Sequence, residues 1–219
     1  MRASDLVITL QVATLATVIS TIVGIPLAWV LARYRFRFRS VVEALTTLPL
    51  VLPPTVVGYY LLRTLGRSSP FGRFLEDDLH IRLVFTWQGA AIAASVLAAP
   101  LLIRTSQAAF AEVDPELERV AATLGRTRAG VFFGVTLPLA MRGVGAGIAL
   151  AFARAAGEFG ATIMVAGNIP GKTRTLPVAV YDAVQAGDIG RANATALVLI
   201  TICITCLVAF SLVTGLVRR

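Results

Sequence analysis

Three groupings in this 219-residue chain carry residue types that do chemistry. Cys203 and Cys206 form a C-x-x-C, the spacing of a dithiol redox pair. Gly167-Asn-Ile-Pro-Gly171-Lys-Thr173 ends like a phosphate-cradling loop. Arg154 and Glu158 lie four apart, which puts both charges on one face of a helix. Context decides the first two. The cysteines sit deep in an apolar run without a βαβ pattern, so they are read as small packing residues. The loop is one residue short of G-x-x-x-x-G-K-[ST], because Ala166 stands in the place of the first glycine, and no buried strand precedes it. His80 is the only histidine, so no histidine cluster exists to hold a metal or build a triad. No residue is therefore assigned as catalytic or metal-binding, and the chain is not read as an enzyme. For Arg154 and Glu158 two readings stay open. One is a self-neutralising structural pair; the other is a role in a pathway or gate, which would also suit a proton-coupled carrier.

The elements that must position these residues are membrane spans. Apolar residues make up 57% of the chain and charged ones 15%, with a mean hydropathy of +0.80. An ordinary soluble domain is excluded. The net charge of +8 does not imply nucleic acid, because the arginines gather at span ends, where they set topology. Spans are expected at about 6–31, 41–65, 85–103, 139–165 and 192–217. The first apolar run, from Leu6, is too long for a signal-peptide core and is expected to stay as an anchor. It is followed by Arg33, Arg35, Arg37 and Arg39 alternating with aromatics, an interfacial cytoplasmic anchor that puts the N-terminus outside. Arg104, where the third span is expected to return the chain inside, and the terminal pair Arg218 and Arg219 agree. Residues 67–83 and 167–191 then fall outside, the latter with a short amphipathic helix over 175–186. The expectation is one all-α membrane domain with five spans, N-terminus out and C-terminus in.

Two interruptions stand out. Pro53 and Pro54 remove two amide donors within the second span and cannot lie inside a continuous helix. Such a break is either a kink or the lining of a watery cavity, the place where transporters put substrate sites. The second interruption is polar and runs from Asp114 to Pro138. Asp114, Pro115 and Glu116 form a helix start, and Gly125 is the stop. Leu117, Val120, Ala121 and Leu124 recur at helical spacing between them. A short amphipathic helix here either lies on lipid or docks into a partner's groove.

Spacing in that segment carries a resemblance. Ala121, Gly125, Val135, Leu137 and Pro138 fit E-A-A-x3-G-x9-I-x-L-P, the pattern of ABC-importer permeases. Arg119 and Val120 stand where that family has Glu and Ala, with Glu118 just before. Leu48 to Tyr60, Phe132 to Pro138, Phe152 to Thr162 and Ala166 to Pro177 resemble, more narrowly, the molybdate branch of these permeases. Sulfate permeases share parts of those motifs, and tungstate is not separable from molybdate. The resemblance implies the MetI-like fold of a type I importer in the bacterial inner membrane. It implies a homodimeric pore, a separate pair of ATPase subunits that bind ATP and Mg, and a periplasmic or extracellular molybdate-binding protein. By position, Glu116, Leu117, Glu118, Ala121, Ala122, Leu124 and Gly125 would couple to the ATPase. Pro53, Pro54 and Thr55 would border the pathway, and Arg154, Glu158, Phe159, Gly160 and Thr162 would lie near the outer gate. A passing oxyanion should meet hydroxyls and amides rather than fixed cations, which makes Thr55 and Thr162 candidates to contact it.

Overall fold

The computed structural model describes residues 2–216. Eleven α-helices and no strand occur among the described residues. The first is α1, Ala3–Arg33. A short arm leads to α2, Arg39–Val51, and α3, Pro54–Leu65. The loop beyond holds α4, Pro70–Arg73, capped by the Ser69 hydroxyl and followed by a π-type turn over Phe74–Asp78. Then come α5, Trp87–Glu112; α6, Pro115–Thr123; α7, Arg128–Val131; and a second π-type turn, Phe132–Thr136. The chain continues with α8, Leu137–Ala156; α9, Gly160–Ala166; α10, Leu176–Gln185; and α11, Ile189–Leu216.

Helix α5 is the centre. In its most apolar stretch 67% of residues are buried within the chain, against 6% for α11. Ala90, Ala91, Ala94 and Ala98 of α5 meet Ala13 and Ala16 of α1 and Ala151 and Ala155 of α8. Small side chains let these backbones approach, which is how helices associate where lipid is as apolar as leucine. The contacts also give direction. Ser20 donates to the Ser95 carbonyl at 3.2 Å, and Arg33 to the Val113 carbonyl at 2.9 Å, so α1 and α5 run parallel. Gly143 and Gly147 of α8 lie against Ala109 and Thr105, so α8 runs antiparallel. No Cβ fits at either glycine without displacing α5.

Four helical stretches are long and apolar enough to cross a membrane: Ala3–Arg33, Trp87–Glu112, Arg128–Ala156 and Ile189–Phe210. The second expected span, 41–65, is not one helix. Between α2 and α3 the axis bends by 109° at Leu52 and Pro53. Pro54 takes the first turn of α3, where its missing amide costs nothing. The pair nevertheless descends α5 from one end to the other. Glu43 accepts from Gln107 and Thr47 from Arg104, Val57 packs with Ala93 and Leu97, and Gly66 lies beside Val84. A bent crossing, not a hairpin back to the same side, is the result.

Two span limits need correction. The third helix does not end at Ile103 but continues to Glu112. Arg104 is exposed within this continuing helix, and its guanidinium donates to the Thr47 hydroxyl at 2.7 Å. The fourth stretch does not run from Leu139 to Val165. It begins at Arg128, passes through the π-type turn, and stops at Ala156, leaving Gly157 to Phe159 as a break before α9. Pro138 is tolerated because the preceding turn is already widened: the Leu137 amide donates to the Phe132 carbonyl, five residues back. Residues 175–186 do hold the short helix α10. The Arg218 and Arg219 anchor lies outside the described residues.

Candidate functional site

Helix α6 is built as its sequence dictates. Asp114 accepts from the Glu116 amide at 2.9 Å, and Pro115 fills the first turn. At the other end the Gly125 amide donates to the Ala122 carbonyl and the Arg126 amide to the Ala121 carbonyl. That pair of bonds is a Schellman cap, and it needs Gly125 in the left-handed region, at φ 84°. Open space surrounds the glycine, so its requirement is conformational rather than steric.

The strut that holds α6 is Glu118. One carboxylate oxygen accepts from Arg33 of α1 at 2.8 Å and from the Thr136 hydroxyl at 2.6 Å. The neighbouring Arg119, at the position of the expected motif acid, points away and pairs loosely with Glu116 at 3.7 Å, both well exposed. Glu118, one residue before the motif position, is thus the acid of α6 that is anchored to the rest of the chain. The apolar face is not used within the chain: Leu117 is 48% exposed, Val120 57% and Leu124 80%. Ala121 is half-buried and Ala122 exposed.

The remaining candidates converge at the other break. Gly160 lies on Pro54 and Thr55, its absent Cβ only 3.0 Å from the Pro54 Cβ. Gly58 lies as closely on Ala161 and Met164, at 2.8 Å. The two interrupted helices, α2–α3 and α8–α9, therefore meet with their breaks side by side. Pro53 and Thr55 are exposed there. Glu158 is buried and fully engaged: it accepts from Arg154 at 2.6 Å and from the Ala161 amide at 2.8 Å. It caps α9 as an aspartate caps a helix. Phe159 stacks obliquely on Tyr181 of α10, with ring centroids 5.0 Å apart. Thr162 is a correction. It is 1% exposed and its hydroxyl donates to the Glu158 and Phe159 carbonyls, so it has no donor to offer a passing anion.

One cluster was missed by sequence reasoning. Asp5 is fully buried and accepts a two-pronged contact from Arg174, at 3.2 and 3.3 Å. Arg174 also donates to Asp182 of α10 at 3.1 Å. Thr9 reinforces the seam, since its hydroxyl accepts from the Leu176 amide and donates to the Asp5 carbonyl. The loop that resembles a phosphate cradle is the other half of this clamp: the amides of Lys172, Thr173 and Arg174 all close on the Ile169 carbonyl. No local pattern announces a pair 169 residues apart.

This architecture is that of an importer's membrane subunit, and the chain belongs to the family described as binding-protein-dependent transport system inner membrane component, matched over residues 24–219. It is accordingly a multi-pass component of the inner membrane. Among relatives, it is 45% identical over 195 residues to the molybdenum transport system permease protein ModB of Escherichia coli K12, covering 89% of this chain and 85% of that one. The putative molybdenum permease YvgM of Bacillus subtilis is 41% identical over 186 residues, covering 84% and 82%. The sulfate permease CysT of Salmonella typhimurium is 38% identical over 193 residues, covering 88% and 69%. In fold, the inward-facing MetNI methionine ABC transporter matches with a TM-score of 0.74 at 17% identity, covering 98% of this chain and 95% of that one. The expected MetI-like fold of a type I importer is the observed one.

Proposed function

We propose that this chain is the permease subunit of an ATP-driven importer that moves molybdate inward, working as two copies with two ATPase subunits and a binding protein. The observation that carries the reading is α6. It is capped at both ends and strutted by Glu118, yet leaves Leu117, Val120 and Leu124 uncovered. A rigid lever with a free apolar face suits a partner that pushes. ATP and Mg belong to that partner. Charge supports a cytoplasmic α6 end: Arg33, Arg35, Arg37, Arg39, Arg126, Arg128 and Arg142 lie in or close to the segments on either side of it in the chain. The second copy covers apolar surface left open on α2 and α3, such as Leu45, Val51 and Tyr60. The paired breaks around Pro53, Pro54, Thr55, Phe159 and Gly160 border the pathway, and Arg154 with Glu158 holds α9 in place near the outer gate.

The test is uptake of labelled molybdate into proteoliposomes holding this chain, its ATPase and the binding protein. Uptake that needs all three with ATP and resists excess sulfate is expected. The resemblance to CysT favours a sulfate importer as the second reading, and loss of molybdate uptake under sulfate would select it. Uptake by the chain without an ATPase, abolished by an uncoupler, would reject both.

A further inference from the structure

Beside α6 lies a cavity of about 280 Å³ whose walls include Trp29, Tyr34, Arg126, Arg128 and Phe132. It opens next to a shallower groove that reaches Arg33. Two donors near it are unpaired. The Trp29 indole nitrogen is buried with no hydrogen-bond partner, and so is the Arg33 Nε. Arg126 and Arg128 have no carboxylate in ion-pairing range among the described residues. The one acid in the wall, Glu118, is already held by Arg33 and Thr136.

The Arg126 guanidinium lies over Gly134, 2.6 Å from where a Cβ there would stand. Trp29 is braced edge-on by Tyr34 and Phe132, at 5.6 and 5.3 Å between centroids. The ligand these features select is compact, anionic and rich in acceptors. The surroundings are those of a membrane interface: Phe36 and Phe38 are exposed and alternate with Arg35 and Arg37 immediately after α1. We propose that this cavity binds a phosphate group, held by Arg126 and Arg128, at the junction of α1, α6 and α7. A phospholipid headgroup and free phosphate share this chemistry. A lipid phosphate would tie the bilayer surface to the base of the coupling segment.

The chain has two tryptophans, so Trp87→Phe leaves Trp29 as the sole reporter. The purified full chain in detergent is titrated with dioleoylphosphatidylglycerol, with dioleoylglycerol, which lacks the phosphate, and with inorganic phosphate. In parallel, native mass spectrometry of the unsubstituted chain counts retained lipid. Saturable change in Trp29 emission with phosphatidylglycerol but not dioleoylglycerol is expected, weakened at least tenfold in Arg126→Gln with Arg128→Gln. The same response to inorganic phosphate alone would identify a free anion as the ligand. The proposal is overturned if neither phosphate source alters the emission nor leaves an adduct, or if the double variant binds like the parent. None of these readouts depends on transport, so the site stands or falls apart from the importer reading.

Discussion

Two arginine–carboxylate joints hold the opposite ends of this bundle, and they are built differently. At the α10 end, Arg174 and Asp5 are 4% and 0% exposed and tie the loop before α10 to the start of α1. At the α6 end, Arg33 and Glu118 are 13% and 20% exposed and tie a surface helix to the end of α1. The first joint is dry, branched to Asp182 and backed by Thr9. The second is partly wet and flanked by uncovered leucines. A dry ion pair adds little net stability over an apolar replacement but is costly to break by halves, whereas a wet one tolerates loss. One end is a lock; the other is a joint that keeps its shape while something else bears on it.

The contrast is sharpest under Asp5→Asn, which leaves the buried Arg174 with only the exposed Asp182 as a charge partner. We expect a loss of about 3–5 kcal/mol, seen as a large drop in the thermal midpoint of the purified chain. Asp5→Leu with Arg174→Leu should recover much of it; no recovery would mean the joint does more than neutralise itself. Glu118→Gln, at the wetter end, should cost only about 1–2 kcal/mol by the same assay, since water screens what it leaves behind. A loss as large as that of Asp5→Asn would erase the distinction drawn here. Gly125→Ala should cost about 1–2 kcal/mol through its positive φ, and Gly125→Asn clearly less, because asparagine tolerates that conformation and no neighbour crowds it. Equal costs would point to crowding instead. Leu117→Ala with Leu124→Ala should leave the midpoint of the lone chain within about 0.5 kcal/mol, as both are surface positions. The same variant should lose co-purification with the ATPase; retention would remove the docking role from this face.

Much of this was legible in the sequence because it is local. The Asp114 cap, the Gly125 stop and the Pro53–Pro54 break are each decided by a few adjacent residues, and each forms as read. Span limits were less legible. Arg104 is charged and looked like an end, but a long side chain can reach a partner while its backbone stays helical. Glu158 meets Arg154 at the four-residue spacing read in the sequence, but its bond to the Ala161 amide depends on the break at Gly157–Phe159, which the continuous span expected over 139–165 does not contain. Thr162 was misjudged because a hydroxyl on a helix can spend itself on its own backbone. The Asp5 clamp was invisible, since only the folded bundle brings α1 to the loop before α10.

The widened turn at Phe132–Thr136 has a consequence for how this chain tolerates length change. An i→i+5 turn holds one residue more than an α-turn, so it fixes the rotational phase between α7 and α8. Inserting a single residue in α7, ahead of that turn, would swing everything before it by about 100° around the helix axis. Thr136 would then face away from Glu118, and the lever would be aimed at the wrong neighbour. The nine-residue interval from Gly125 to Val135 is in this sense an indexing mark, one that substitutions leave intact and a one-residue insertion ahead of the wide turn would not.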